Sequence, residues 1–132
     1  MYSPLIIVSN NPLVFSRWKE RIPVRYVEGG ALAVLLTVRD LCHRGCRLLS
    51  HPLAGSVKPN ETPYRSVMLS EAGPGTDPDS VELTEKAIEV TERFGPVRRV
   101  WQEREIRDFQ LVDEALLAGA LESAENDLSN LI

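Results

Sequence analysis

Aromatic residues make up 6% of this 132-residue chain, and cysteine and histidine occur twice each. With so few rings, the interior has to be filled by Leu, Val, Ile and Ala. Two cysteines, Cys42 and Cys46, are too few for the disulfide framework of a small secreted domain and suit a reducing cytoplasm. The run Cys42-His43-Arg44-Gly45-Cys46 offers three metal ligands at best. No second Cys/His cluster supplies a fourth for closed tetrahedral zinc, so both thiols read as structural and metal-free. Long apolar runs are missing too. A spanning helix needs about 18 consecutive apolar residues, and no membrane segment is expected. The start, MYSPLIIVSNN, lacks the basic stretch of an export signal.

Familiar catalytic and phosphate-binding motifs are also absent. There is no G-x-S-x-G elbow, Gly29-Gly30 alone is no dinucleotide fingerprint, and Gly73-Pro74-Gly75 places a proline where a phosphate loop needs an N–H. No stripe of Lys/Arg alternates with aromatics, and the net charge is −4, so nucleic acid is not an expected partner. That charge is uneven. Residues 1–70 hold nine Lys/Arg against four Asp/Glu, and residues 71–132 hold six against fifteen. Glu-rich helix surfaces account for the acidic half.

What is present is enough for one domain over 1–132, since compact domains most often run to about 100–150 residues. Leu5 to Ser9 is a short apolar run closed by Asn10-Asn11-Pro12, a buried strand leading into a helix that Asn caps and Pro starts. The helix should run to about Arg21, ahead of a second strand at 24–28 and the turn Gly29-Gly30. Ala31, Leu35, Val38 and Cys42 share one face of a helix over 31–44. A third strand is expected at 46–50 and a fourth at 66–70, separated by the proline-broken HPLAGSVKPNETPYRS. A helix from Pro78 to Phe94 should bury Leu83, Ala87, Val90 and Phe94. A last one over 106–124 should bury Phe109, Val112, Leu116 and Ala120. This alternation predicts a three-layer αβα domain, Rossmann-like, with a mostly parallel sheet of about four strands.

In such a sheet, ligands bind beyond the carboxyl ends of the strands. Those ends would present Ser9, Asn10 and Asn11, then Glu28, then Ser50 and His51, then Ser70 and Glu71. The long loop adds Ser56, Lys58, Asn60, Glu61 and Thr62 at the same edge, and a loop of that length is usually functional or disordered. His51 titrates near neutrality and is a candidate acid, base or anion donor; satisfying the loop's backbone explains it equally well. Lys58 fits a phosphate or carboxylate. Asn10 and Asn11 offer amides to an anion, although helix capping explains at least one of them.

The stretches SNNPLV, LLSHPLAGSVKPNETPYRSVMLS and DFQLVDEALL resemble the GrdX family, small proteins encoded near the glycine, sarcosine and betaine reductases of anaerobic bacteria. The resemblance spans most of the chain, and HPLAGSVKPNETPY is long enough to be fairly specific. It implies a cytoplasmic accessory role near selenium-dependent amino-acid reduction, and it transfers no catalytic residue and no cofactor. Three functions fit: a module binding a small anionic ligand or a partner around Asn10, Asn11, His51, Ser56, Lys58, Asn60, Glu61 and Thr62; a small enzyme with His51 as acid/base and Lys58 as charge stabiliser; or an interaction module docking on a reductase subunit. Self-association is compatible with each.

Overall fold

A computed structural model describes residues 4–53 and 61–130, with side chains described as far as Ala124. Strand β1 (Leu5–Ser9) is followed by α1 (Pro12–Trp18), β2 (Val24–Tyr26), α2 (Ala31–His43), β3 (Ser66–Ser70), α3 (Pro78–Phe94) and α4 (Glu103–Asn130). The helix starts follow their caps. Asn11 accepts the Leu13 N–H at 3.0 Å and Asp77 accepts the Ser80 N–H at 3.2 Å, each with proline next in the chain. Gly95, at φ 77°, ends α3 and returns its N–H to the Thr91 carbonyl.

The sheet differs from the sequence expectation. Among the described residues it has three strands in the order β2-β1-β3, parallel between β1 and β2 and antiparallel between β1 and β3. It is not a four-stranded, mostly parallel, Rossmann-like sheet. Residues 46–50 touch β3 through one isolated antiparallel bridge, Leu48 to Leu69. The N–H groups of Leu49 and Ser50 both converge on the Met68 carbonyl, and the Met68 N–H turns to the Ser50 hydroxyl. That doubling breaks the ladder after a single pair. The direction of β3 also has a cause in the sequence. A parallel return needs a crossover that covers a sheet face, usually a helix, and HPLAGSVKPNETPYRS lacks any helical stripe.

The reversal moves residues between edges. Ser66 pairs with Ser9, whereas Ser70 pairs with Leu5 and the Glu71 N–H meets the Pro4 carbonyl. Ser70 and Glu71 therefore lie at the opposite edge from Ser9 and Asn10. Arg65 and Ser66 stand beside Ser9 and Asn10 instead.

Both sheet faces are covered, as continuous apolar strands require. Side chains alternate along each strand. Val8, Val67 and Leu69 pack with Val34, Val38, Leu41, Cys42 and Cys46 on the α2 side. Ile7 and Met68 pack with Val14, Trp18, Ile22, Leu117 and Leu121 on the side of α1 and α4. α3 lies along α2 through Leu35, Ala87 and Ile88. Cys42 and Cys46 are buried free thiols, and burial pushes both pKa values up.

Two helical stripes are rotated from the expectation. α4 buries Leu117, Leu121 and Ala124, and leaves Val112 at 57% and Leu116 at 42% exposure. The polar residues Gln110, Asp113 and Glu114 turn inward to Tyr64, Asn11, Ser66 and Trp18, and they set the rotation. α3 likewise buries Ser80, Thr84, Ala87, Ile88 and Thr91, with Phe94 40% exposed. A pair of substitutions checks the register of α4. Leu117→Ala should cost about 2–5 kcal/mol of unfolding free energy, and Leu116→Ala no more than about 0.5 kcal/mol. Urea denaturation of both variants reads the difference, and similar losses would contradict the register.

Candidate functional site

At the carboxyl end of β1 the chain presents three consecutive polar residues, and all three are buried: Ser9, Asn10 and Asn11. Buried polar groups demand partners, and each of these finds them on a different part of the fold. The Asn10 side-chain amide donates to the carbonyls of Gly29 (2.8 Å) and Pro63 (2.9 Å), while its Oδ1 accepts the Arg65 N–H at 2.8 Å. One side chain thus joins the β2–α2 turn to the approach to β3. Asn11 caps α1 and donates to the Gln110 carbonyl and to Asp113 Oδ2, both at 3.0 Å.

Ser9 and Ser66 face each other across the ladder at 2.7 Å, and the Ser66 hydroxyl donates to Asp113 Oδ2 at 2.6 Å. Since the Ser66 proton goes to the carboxylate, the Ser9 hydroxyl donates to Ser66 and accepts the Asn11 N–H at 2.9 Å. The result is a continuous polar junction from β1 through β3 to α4. Burial pushes the Asp113 carboxyl above its usual range, against the lowering effects of its bonds to Ser66 and Asn11 and of the Arg65 charge. Arg65 is buried as well, and burial lowers its pKa against the Asp113 charge. The two shifts agree that the mutual attraction of the pair only partly offsets desolvation.

Beside this junction lies an open cleft of about 660 Å³, within the roughly 300–1,000 Å³ typical of small-molecule sites. Its walls are Gly29 to Leu32 of the β2–α2 turn, Pro63, and Thr91 to Val97 around the end of α3, where Thr91, Glu92, Gly95, Pro96 and Val97 contribute. Gly29 is required by its backbone: φ is 140°, and a Cβ there would come within 2.9 Å of the Ala33 Cβ. Two of its walls, at Gly29 and at Pro63, are the carbonyls that Asn10 holds. α3 runs antiparallel along α2, which brings its last turn to the first turn of α2.

The other sequence candidates fall as follows. His51 is exposed, and its Nδ1 accepts the Leu53 N–H at 3.0 Å. Glu61 is exposed, and the half-buried Thr62 hydroxyl sits 3.4 Å from both the N–H and the carbonyl of Tyr64. Ser56, Lys58 and Asn60 lie outside the described residues. Among the described residues no group of three or more His, Cys, Asp or Glu is placed to hold a metal ion, and no helix is long and apolar enough to cross a membrane.

Sequence reasoning passed over Asp113, Gln110, Pro63, Thr91 and the Gly95–Val97 segment. A signal for the first was present: Asp113 stands four and eight residues before Leu117 and Leu121, on the face that is in fact buried. A family model described as GrdX-like protein matches residues 6–122. No curated protein and no solved structure matches the chain.

Two outcomes test this description. Asn10→Ala leaves the Gly29 and Pro63 carbonyls and the Arg65 N–H without their partner, and should lower stability by about 2–4 kcal/mol, on the scale of unmet buried hydrogen bonds. A change below about 0.5 kcal/mol in denaturant titration would show the bridge to be dispensable. Asp113, whose native pKa is raised, retains its proton in the folded state at pH values where the unfolded chain has lost it. Its stabilising contribution is therefore present below the ordinary carboxylate pKa and is lost as pH rises through the raised value. Unfolding free energies from about pH 4 to about pH 8 should show that decline in the wild type and a flatter profile in Asp113→Asn.

Proposed function

Because the chain belongs to the GrdX-like family, we propose that it is an accessory protein that binds a small molecule in the cleft at the carboxyl edge of β1 and β2, in the setting of glycine, sarcosine or betaine reduction. The observation that carries this reading is the cleft itself: a small-molecule-sized hollow between the glycine turn that starts α2 and the end of α3. Asn10 braces two of its walls from behind. Asn10 and Asn11 commit their amide hydrogens to protein acceptors, so their part in binding is to position the walls. His51, Ser56, Lys58, Asn60, Glu61 and Thr62 remain proposed contributors from the loop that enters the same edge. The ligand is held through backbone groups and apolar contacts, and the described walls carry no nucleophile activated by a neighbouring base.

A second reading has one observation of its own. Leu111, Val112 and Leu116 form an exposed apolar strip on α4, and exposed apolar patches commonly mark protein contacts. A partner protein such as a reductase subunit would use that strip, away from the cleft.

A thermal-shift panel of small metabolites separates the two. At least one compound should raise the melting temperature of the wild type and fail to do so in Gly30→Phe. Position 30 tolerates a side chain, since an added Cβ meets nothing within 4 Å. A panel with no shifts, together with tight binding of a reductase component that is lost in Val112→Asp, would favour the interaction module.

A further inference from the structure

The residue that starts α2 is not needed as glycine by its backbone. Gly30 has φ −91° and ψ −169°, extended values open to every residue, and an added Cβ would meet nothing within 4 Å. It is nevertheless the N-cap, and among the described residues no side chain accepts a hydrogen bond from the first turn of this thirteen-residue helix. The first N–H groups of a helix have no intrahelical acceptor and carry the positive end of its dipole. Here Ala31 and Leu32, which bear two of those groups, line the cleft. The other two helices with a described cap, α1 and α3, are closed by the side chains of Asn11 and Asp77.

A second observation points to the same place from the opposite wall. Thr91 also lines the cleft, is 5% exposed, and its hydroxyl has no hydrogen-bond partner among the described residues. A helical threonine ordinarily satisfies that hydroxyl on the carbonyl four residues earlier, as Thr37 does with Ala33 at 3.0 Å. Leaving a buried hydroxyl unmet is costly. Rotation about χ1 between its two common helical rotamers exchanges methyl and hydroxyl, so the same side chain can offer either group.

We propose that the cleft takes a small monocarboxylate with an apolar body, its carboxylate received by the open first turn of α2 and by the Thr91 hydroxyl. The inference rests on the cleft being a ligand site, and it adds the head group. The rest of the lining selects against a phosphate. Of the described lining residues the charged one is Glu92, a carboxylate at the rim, and no Lys or Arg among them answers a dianion. Pro63, Pro96, Val97 and Leu32 offer an apolar surface to the remainder of the ligand.

The test titrates phenylacetate, phenylacetamide and benzyl phosphate by calorimetry into the wild type and two variants. Phenylacetate should bind the wild type, with phenylacetamide and benzyl phosphate at least about tenfold weaker, the scale of a hydrogen bond to a charged group. Gly30→Asp supplies its own cap carboxylate to the same N–H groups. It should abolish phenylacetate binding while the melting temperature of the ligand-free protein holds or rises. Thr91→Val removes the unmet hydroxyl at nearly constant shape, and should weaken phenylacetate about fivefold or more without loss of ligand-free stability. Phenylacetate that does not bind, or that binds both variants as well as the wild type, overturns the proposal. So does tighter binding of benzyl phosphate, above all if Lys58→Ala removes it. Equal binding of phenylacetamide would overturn the carboxylate assignment and leave the ligand cleft standing.

Discussion

The edge of this protein depends on one side chain. Asn10 is buried at the point where β1 stops, and its amide has to satisfy three backbone groups drawn from two separate loops. This calls for a carboxamide, with two N–H donors and an acceptor oxygen. A carboxylate accepts and cannot donate to the Gly29 and Pro63 carbonyls, and a hydroxyl has a single proton. The sheet supplies the direction. Because β2 is parallel and β3 antiparallel to β1, the end of one strand, the exit of the second and the entry to the third meet at one place. The bridging asparagine turns that convergence into a fixed wall.

From this point the edge divides into two chemically different halves. Toward α4, Ser9, Asn11, Ser66 and Asp113 saturate one another, and Asp113 sits above its ordinary pKa because burial outweighs its bonds. That half is closed and binds the last helix to the sheet. Toward α2 and α3, the donors are left open among the described residues: a helix start without a capping side chain and a threonine without an acceptor. Ser9, Asn11, Ser66 and Asp113 are paired with one another on one side, and the proposed ligand would meet the unpaired donors on the other.

Much of the element order was legible, and the reasons are local. Asn11-Pro12, Asp77-Pro78 and Gly95-Pro96 are start and stop signals whose physics acts within one turn, and α2 buries Ala31, Leu35, Val38 and Cys42 as its spacing requires. The sheet was less legible because strand direction is decided by what connects the strands. An apolar SVMLS pairs equally well either way, and only the lack of a helical stripe in the sequence between 46–50 and 66–70 tells against a parallel return. α4 was misread by one residue for a related reason. Phe109, Val112, Leu116 and Ala120 look like a stripe, yet the helix turns so that Gln110 and Asp113 reach their polar partners, and the competing spacing of Leu117 and Leu121 behind Asp113 is the trace that this leaves in the sequence. The gathering of Ser9, Asn10 and Asn11 at the carboxyl end of β1 follows from the bounds of that strand. The walls from α3 do not, since their approach depends on how α3 lies along α2.

The central claim is that the open donors at the start of α2 and the end of α3 receive a small ligand. Amide-resolved nuclear magnetic resonance of the full chain, titrated with phenylacetate, tests it most directly. The account predicts saturable shifts at Ala31, Leu32, Thr91 and Gly95, with α4 unchanged. Shifts confined to Leu111, Val112 and Leu116, or none at saturating ligand, would contradict it.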